Sequence, residues 1–198
     1  MKKIILATGN RHKVEEISAL LDDFLFEVSS LKEYSEVIMA EEDRDTFAGN
    51  AAKKAEAVSH ATGEIALADD SGLGVEALSG RPGVLSARYA GENGNDEANN
   101  SLLLRELKDI PPEKRRAKFT CAMALTVPGD QTYIVEESCS GLIVTEPRGS
   151  EGFGYDPLFY YEPAGLTFAE MPAEEKNKVS HRGKALRRMR ELIEKIFD

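Results

Sequence analysis

The chain has 198 residues, and 25 Lys and Arg against 35 Asp and Glu leave a formal net charge of −10. A chain this long buries its own core without staples and is expected to form one domain, or two closely packed lobes, over residues 1–198. The acidic balance argues against a general duplex-DNA binder, which needs a broad basic face, and favours a soluble cytoplasmic protein.

Ile4–Ala7 reads as a short buried strand, too short for a signal-peptide core or a membrane span. Thr8-Gly9-Asn10 is a turn, and Arg11–Leu21 reads as a helix with Val14, Ile17, Leu20 and Leu21 on one face. A second helix is expected over about Thr46–Thr62, with Asp45 or Thr46 as its cap and Gly63 as its stop. Ile65–Ala68 is a second short strand, ended by Asp69-Asp70-Ser71-Gly72, where Ser71-Gly72 turns the chain sharply. A Gly-rich stretch follows to Asn95, and Asp96–Leu107 is helical through Leu102, Leu103, Leu104 and Leu107.

Lys118–Val127 alternates, with Phe119, Cys121, Met123, Leu125 and Val127 on one face. Pro128-Gly129-Asp130 turns it into Thr132–Glu137, which predicts a hairpin, and Ser140–Thr145 extends the sheet. Cys121 and Cys139 are too few for a disulfide framework or a zinc cluster and read as reduced packing residues. Gly149–Pro157 is another Gly-rich loop, Pro172 opens a short helical turn, and Ser180 precedes a final helix to about Ile196. Early alternation of strand and helix with a later hairpin gives an α/β fold on a mixed sheet.

Charge is unevenly spread. Lys176–Lys195 carries about +6, leaving −16 on the remainder. Helix N-termini favour acids in the first turn. Here one helix starts Asn10-Arg11-His12-Lys13 and another Ser180-His181-Arg182-Gly183-Lys184. A bound phosphate reverses that mismatch, since backbone N–H groups, helix dipole and cationic side chains all favour it. A single Gly9 followed by Lys13 is not a Walker loop. A clasp of Thr8, Asn10, Lys13 and loop amides fits better.

Of the adjacent Asp69 and Asp70, strand alternation sends only one into a given site. Glu41 or Glu42 could add a second oxygen ligand. Like charges beside a phosphate clasp call for a bridging cation, and Mg²⁺ takes one or two carboxylates plus phosphate oxygens. The chemistry this suggests is metal-assisted attack of water at phosphorus, with an Asp accepting the proton. In Ser150–Pro157, Phe153 or Tyr155 can stack on a flat ligand that approaches between glycines. Lys176, His181 and Arg182 are donors that match a 6-keto purine, whereas the adenine amine would leave them unpaired.

Five stretches together resemble the inosine triphosphate pyrophosphatase family, the XTP/dITP diphosphatases. They are Leu6-Ala-Thr-Gly-Asn-Arg-His-Lys13, Leu67-Ala-Asp-Asp-Ser-Gly-Leu73, Gly83-Val-Leu-Ser-Ala-Arg-Tyr-Ala-Gly91, Gly152-Phe-Gly-Tyr-Asp-Pro157 and Glu175-Lys-Asn-Lys-Val-Ser-His-Arg-Gly183. The resemblance implies a long mixed sheet flanked by helices, two lobes with an active-site cleft between them, Mg²⁺ dependence and a homodimer. It implies hydrolysis of ITP, dITP and XTP to the monophosphate and pyrophosphate, with no nucleic-acid or membrane partner. Thr8, Gly9, Asn10, Arg11, His12 and Lys13 would hold the triphosphate. Asp70 would accept the proton and share a metal with Glu41, and Ser71 would touch substrate. Phe153, Gly154, Tyr155 and Asp156 would line the nucleoside pocket, and Lys176, His181 and Arg182 would read base and phosphate. The rival expectations are an Asp-dependent phosphomonoesterase and a nucleotide sensor without turnover.

Overall fold

Ile4, Ile5, Leu6 and Ala7 have no exposed surface, as a strand covered on both faces requires. The computed structural model describes residues 2–10, 13–14, 17–18, 26–34, 37 and 40–197. The strands are β1 (Lys2–Leu6), β2 (Phe26–Ser30), β3 (Ile65–Val75), β4 (Arg116–Thr126), β5 (Thr132–Ile143), β6 (Phe159–Tyr161) and β7 (Leu166–Thr167). The described helices are α1 (Phe47–Thr62), α2 (Asp96–Glu106), α3 (Ala173–Val179) and α4 (His181–Phe197). The sheet runs β2-β1-β3-β4-β5-β6-β7. It is mixed, because β1 pairs parallel with β2 and β3, while β6 pairs antiparallel with β5 and β7.

The chain forms two compact units. The first is Met1–Asp70, Cys121–Glu137 and Ala185–Asp198; the second is Ser71–Thr120 and Ser138–Lys184. In the first unit, strand alternation sorts the side chains into two layers. Ile4, Leu6, Ile65, Leu67, Cys121, Met123 and Leu125 pack with Ile17 and with Leu186, Met189 and Ile193 of α4. Their neighbours Ile5, Ala7, Ala66, Ala68, Ala122 and Ala124 face Ala51, Ala55 and Val58 of α1. Small residues on that face let α1 lie close to the sheet. In the second unit, Phe119, Phe159, Phe168, Leu103 and Leu107 centre a separate core.

Local signals position α1 closely. The Thr46 hydroxyl accepts the Gly49 N–H at 3.1 Å, and Gly63 stops the helix in the left-handed conformation at φ 72. Lys13, Val14, Ile17 and Ser18 are helical, and Val14 and Ile17 pack on the core as expected. Leu20 and Leu21 lie outside the described residues.

One expectation is corrected. The strand from Ile65 does not end at Asp69, and no sharp turn follows Ser71, because β3 continues to Val75. Leu73 and Val75 are wholly buried and hold it in the sheet. Gly74 is used for close approach, since a Cβ there would sit 3.3 Å from the Gly80 carbonyl oxygen. Asp69 and Asp70 are therefore mid-strand residues. The segments expected at Thr132–Glu137 and Ser140–Thr145 form the single strand β5, and β2, β6 and β7 are additional short strands.

Candidate active site

The turn at Thr8–Asn10, ahead of helical Lys13 and Val14, is held by its own side chains. The Thr8 hydroxyl accepts the Asn10 N–H at 3.2 Å. The Asn10 side chain accepts the Lys13 N–H at 3.3 Å, which makes Asn10 the cap. Gly9 is exposed, and a Cβ there would meet nothing within 4 Å. Arg11 and His12, both expected to hold phosphate, lie outside the described residues. Lys13 brings its Nζ to 2.8 Å from Asp69 Oδ2.

Strand parity decides what each acid meets. Asp69 continues the Ile65–Leu67 face toward Lys13. Asp70 continues the Ala66–Ala68 face toward α1. On that helix, Asn50 gives an Nδ2–H to Asp70 Oδ2 at 2.9 Å. Asn50 also donates to the Arg44 carbonyl at 3.3 Å and accepts the Arg44 N–H at 2.9 Å. It thus ties the 42–44 segment to the strand acid. Gly49 makes room for this, since a Cβ there would sit 3.1 Å from Arg44 Cβ. One turn on, buried Lys54 donates to Glu42 Oε1 at 2.6 Å and to the Asp69 carbonyl at 2.7 Å, with Asp70 Oδ1 at 4.0 Å.

Burial, the largest influence, raises the Asp70 carboxyl above its ordinary value, and the nearby Glu42 charge raises it further. Lys54, the Asn50 hydrogen bond and Lys13 oppose both without cancelling them. For Lys54, burial works to lower the ammonium, but the charges of Asp69, Asp70 and Glu42 overcome it and leave the group raised. Three carboxylates stand here against two ammonium groups. That donor set fits a hard divalent cation, which takes carboxylate oxygen and neutralises the excess. Glu42 is the acid coupled to Asp70, whereas Glu41 is exposed. Among the described residues, no group of three or more His, Cys, Asp and Glu is arranged to enclose a metal by itself.

The second unit holds the aromatic and donor set. Buried Asp156 accepts the Lys176 ammonium at 2.7 Å and the Phe153 N–H at 2.9 Å, both on Oδ2. Asp156 thus positions two neighbours. Its carboxyl is raised, first by burial, against the pull of Lys176, the Phe153 amide and Arg182. Gly152 keeps this contact open, since a Cβ there would lie 2.1 Å from Asp156 Oδ2. Lys176 Nζ and Arg182 Cζ stand 5.4 and 5.3 Å from the Phe153 ring centroid, within cation–π range. His181 stacks on Phe119 at 4.6 Å and 9°. Ser180 caps α4 by accepting the Gly183 N–H at 3.1 Å, and no acid stands in the first turn.

Three expected residues have further particulars. Tyr155 is buried and donates its hydroxyl to the Ser86 carbonyl at 2.8 Å, so it belongs to the core beneath the loop. Ser71 follows Asp70 in β3 and is half-buried. Gly154 adopts φ 62, and a Cβ there would meet nothing within 4 Å. Sequence reasoning passed over Asn50 and Lys54. Their signal was a polar pair at i and i+4 on the Ala51–Ala55–Val58 stripe of α1, where buried polar groups require partners. It also passed over Phe119 as the platform for His181.

This arrangement suits an α/β protein that handles a phosphorylated ligand. The chain belongs to the Ham1 family, whose model matches residues 4–192. It is 51% identical over 186 residues to a protein of Geobacter sulfurreducens named dITP/XTP pyrophosphatase, covering 94% of each chain. It is 50% identical over 196 residues to one of the same name from Geobacillus kaustophilus, covering 99% of this chain and 96% of the relative. The structure of a HAM1 protein from Coxiella burnetii matches with a TM-score of 0.91 at 40% identity, covering 98% of this chain and all of that one.

Proposed function

We propose that this chain hydrolyses ITP, dITP and XTP to the monophosphate and pyrophosphate. The observation that carries the reading is Asp70, a buried, raised carboxyl fixed at one oxygen by Asn50, in a chain whose relatives are named dITP/XTP pyrophosphatase.

Thr8, Gly9, Asn10 and Lys13 take the polyphosphate, together with Arg11 and His12. Asp70 receives the water proton. The water oxygen bonds to the α-phosphorus, the bond to the bridging oxygen breaks, and pyrophosphate leaves. Asp70 and Glu42 would hold Mg²⁺, whose charge offsets that of the phosphate oxygens. Glu42 takes this role in place of Glu41, because it shares Lys54 with Asp70. Lys176, His181 and Arg182 supply donors to a 6-keto purine and Phe153 a stacking face, while Ser71 contacts substrate. The family resemblance supports a homodimer, which sedimentation velocity checks, and the net charge of −10 supports a cytoplasmic location. No described helix is long and apolar enough to cross a membrane.

The test is a panel of nucleoside triphosphates with Mg²⁺, scored separately for pyrophosphate and orthophosphate. Pyrophosphate from ITP, dITP and XTP well ahead of ATP is expected. Orthophosphate alone would point to a phosphomonoesterase, and tight binding without turnover to a sensor; either overturns the reading.

A further inference from the structure

In the segment Phe153–Asp156, Tyr155 and Asp156 are buried, whereas Phe153 and Gly154 are half-buried. That glycine is left-handed at φ 62, with open space where a Cβ would stand, so a flat ligand can lie directly on its backbone. Both of its polar backbone groups are gripped by one helix. Asp96 Oδ2 accepts the Gly154 N–H at 2.6 Å, and Asn100 Nδ2 donates to the Gly154 carbonyl at 2.9 Å.

These two residues are four apart and share a face of α2. Asp96 also favours the helix as a first-turn acid, but neither residue is its cap or its buried anchor. Asn95 is the cap, accepting the Ala98 N–H at 3.0 Å. Asn99, deeply buried, anchors the helix by accepting the Ala90 N–H at 2.8 Å and donating to the Ala87 carbonyl at 3.3 Å. Leu103 is wholly buried beneath. The helix is thus fixed from one side and offers Asp96 and Asn100 to the loop from another. Asn100 also leaves its Oδ1 buried with no hydrogen-bond partner among the described residues, an arrangement that costs stability.

We infer that Asp96 and Asn100 are positioning residues for nucleoside binding: they set the Gly154 backbone, and with it the Phe153 ring, at the height a purine requires. The inference rests on the proposed nucleotide reading and adds a determinant of base affinity outside the loop.

The experiment measures IMP binding by calorimetry alongside ITP turnover, KM, pyrophosphate inhibition and Tm. Asp96→Ala is expected to raise KM for ITP and weaken IMP by roughly three- to tenfold, the loss of one partly exposed hydrogen bond to a charged group. The kcat value and inhibition by pyrophosphate should stay unchanged, since the phosphate and water-activating groups are untouched. Asp96→Asn retains an acceptor and should restore near-native KM. Asn100→Asp replaces the donor with an acceptor facing a carbonyl and should raise KM and weaken IMP at an unchanged kcat, with some loss of Tm. Unchanged KM and IMP affinity in both Asp96→Ala and Asn100→Asp overturns the inference, as does a loss of kcat and Tm without a change in IMP binding. Absence of ITP turnover in the unmutated chain, with IMP binding still weakened by Asp96→Ala, would instead overturn the proposed reaction and leave the positioning role standing.

Discussion

Replacing Lys176 by Met strands the Asp156 carboxylate. The two side chains are 8% and 5% exposed and meet at 2.7 Å. At an effective dielectric of about 20, the gross attraction across such a contact is roughly 6 kcal/mol. Much of that is offset by the cost of burying the ammonium, but removing one partner of a buried pair still costs about 3–5 kcal/mol, because a charge is left uncompensated. For a chain of this length that corresponds to a Tm lower by about 6–20 °C near neutral pH.

The deficit should depend on pH, with a definite sign. Asp156 is already raised by burial, and Lys176 is the first of the groups pulling it back. Without Lys176 the carboxyl rises further. Between the ordinary carboxylate value and the new folded value, the native state holds a proton that the unfolded chain has released. Stability contributed by that proton is lost as pH rises through the folded value and regained as pH falls. Thermal melts monitored by circular dichroism from about pH 8 to about pH 5 should therefore show the gap to the unmutated protein closing on the acid side. The double variant Lys176→Met/Asp156→Asn should be more stable at neutral pH than Lys176→Met alone. A pH-independent deficit, or a double variant no better than the single one, would refute the buried-pair argument.

Three other outcomes follow from the site. Asp70→Asn should lower pyrophosphate release from ITP by roughly 10²–10⁴-fold while ITP binding persists, measured by steady-state assay and calorimetry. Lys13→Ala should weaken triphosphate binding strongly and leave nucleoside binding nearly intact, because Lys13 stands with the Asn10 cap and Asp69; equal weakening of both ligands would remove its phosphate role. Gly183→Ala would place a Cβ 1.8 Å from the Asn177 carbonyl oxygen, a backbone clash no rotamer relieves, so a loss of more than about 3 kcal/mol in denaturant unfolding is expected.

Elements with local punctuation were legible in the sequence. The helix expected from about Thr46 is α1, because a hydroxyl cap and a left-handed glycine act within a turn of the helix end. Ser180 and the basic start of α4 were equally plain. The far half of β3 was not, because Ser71-Gly72 carries turn chemistry locally. Only the burial of Leu73 and Val75 and the close approach at Gly74 show that it stays in the sheet. The site divides the same way. Its motif residues could be named from the chain, and the structure groups Asp70 with the 42–44 segment, and Phe153 with Lys176 and Arg182. Asn50 and Lys54 act on partners up to 20 residues away, and a helix read by its alanines gives no hint of what these polar side chains reach.

The pleat of β3 has a consequence for how this protein can change. Two consecutive aspartates answer to different neighbours, one to the entrance lysine and the other to the alanine-faced helix. A substitution at Asn50 removes a hydrogen bond from Asp70 and leaves the Lys13–Asp69 pair in place, while the Lys13 charge is felt by both acids. Deleting a single residue ahead of the pair would put Asp70 in the place of Asp69, send Asp69 to that of Ala68, and leave Ser71 facing Asn50.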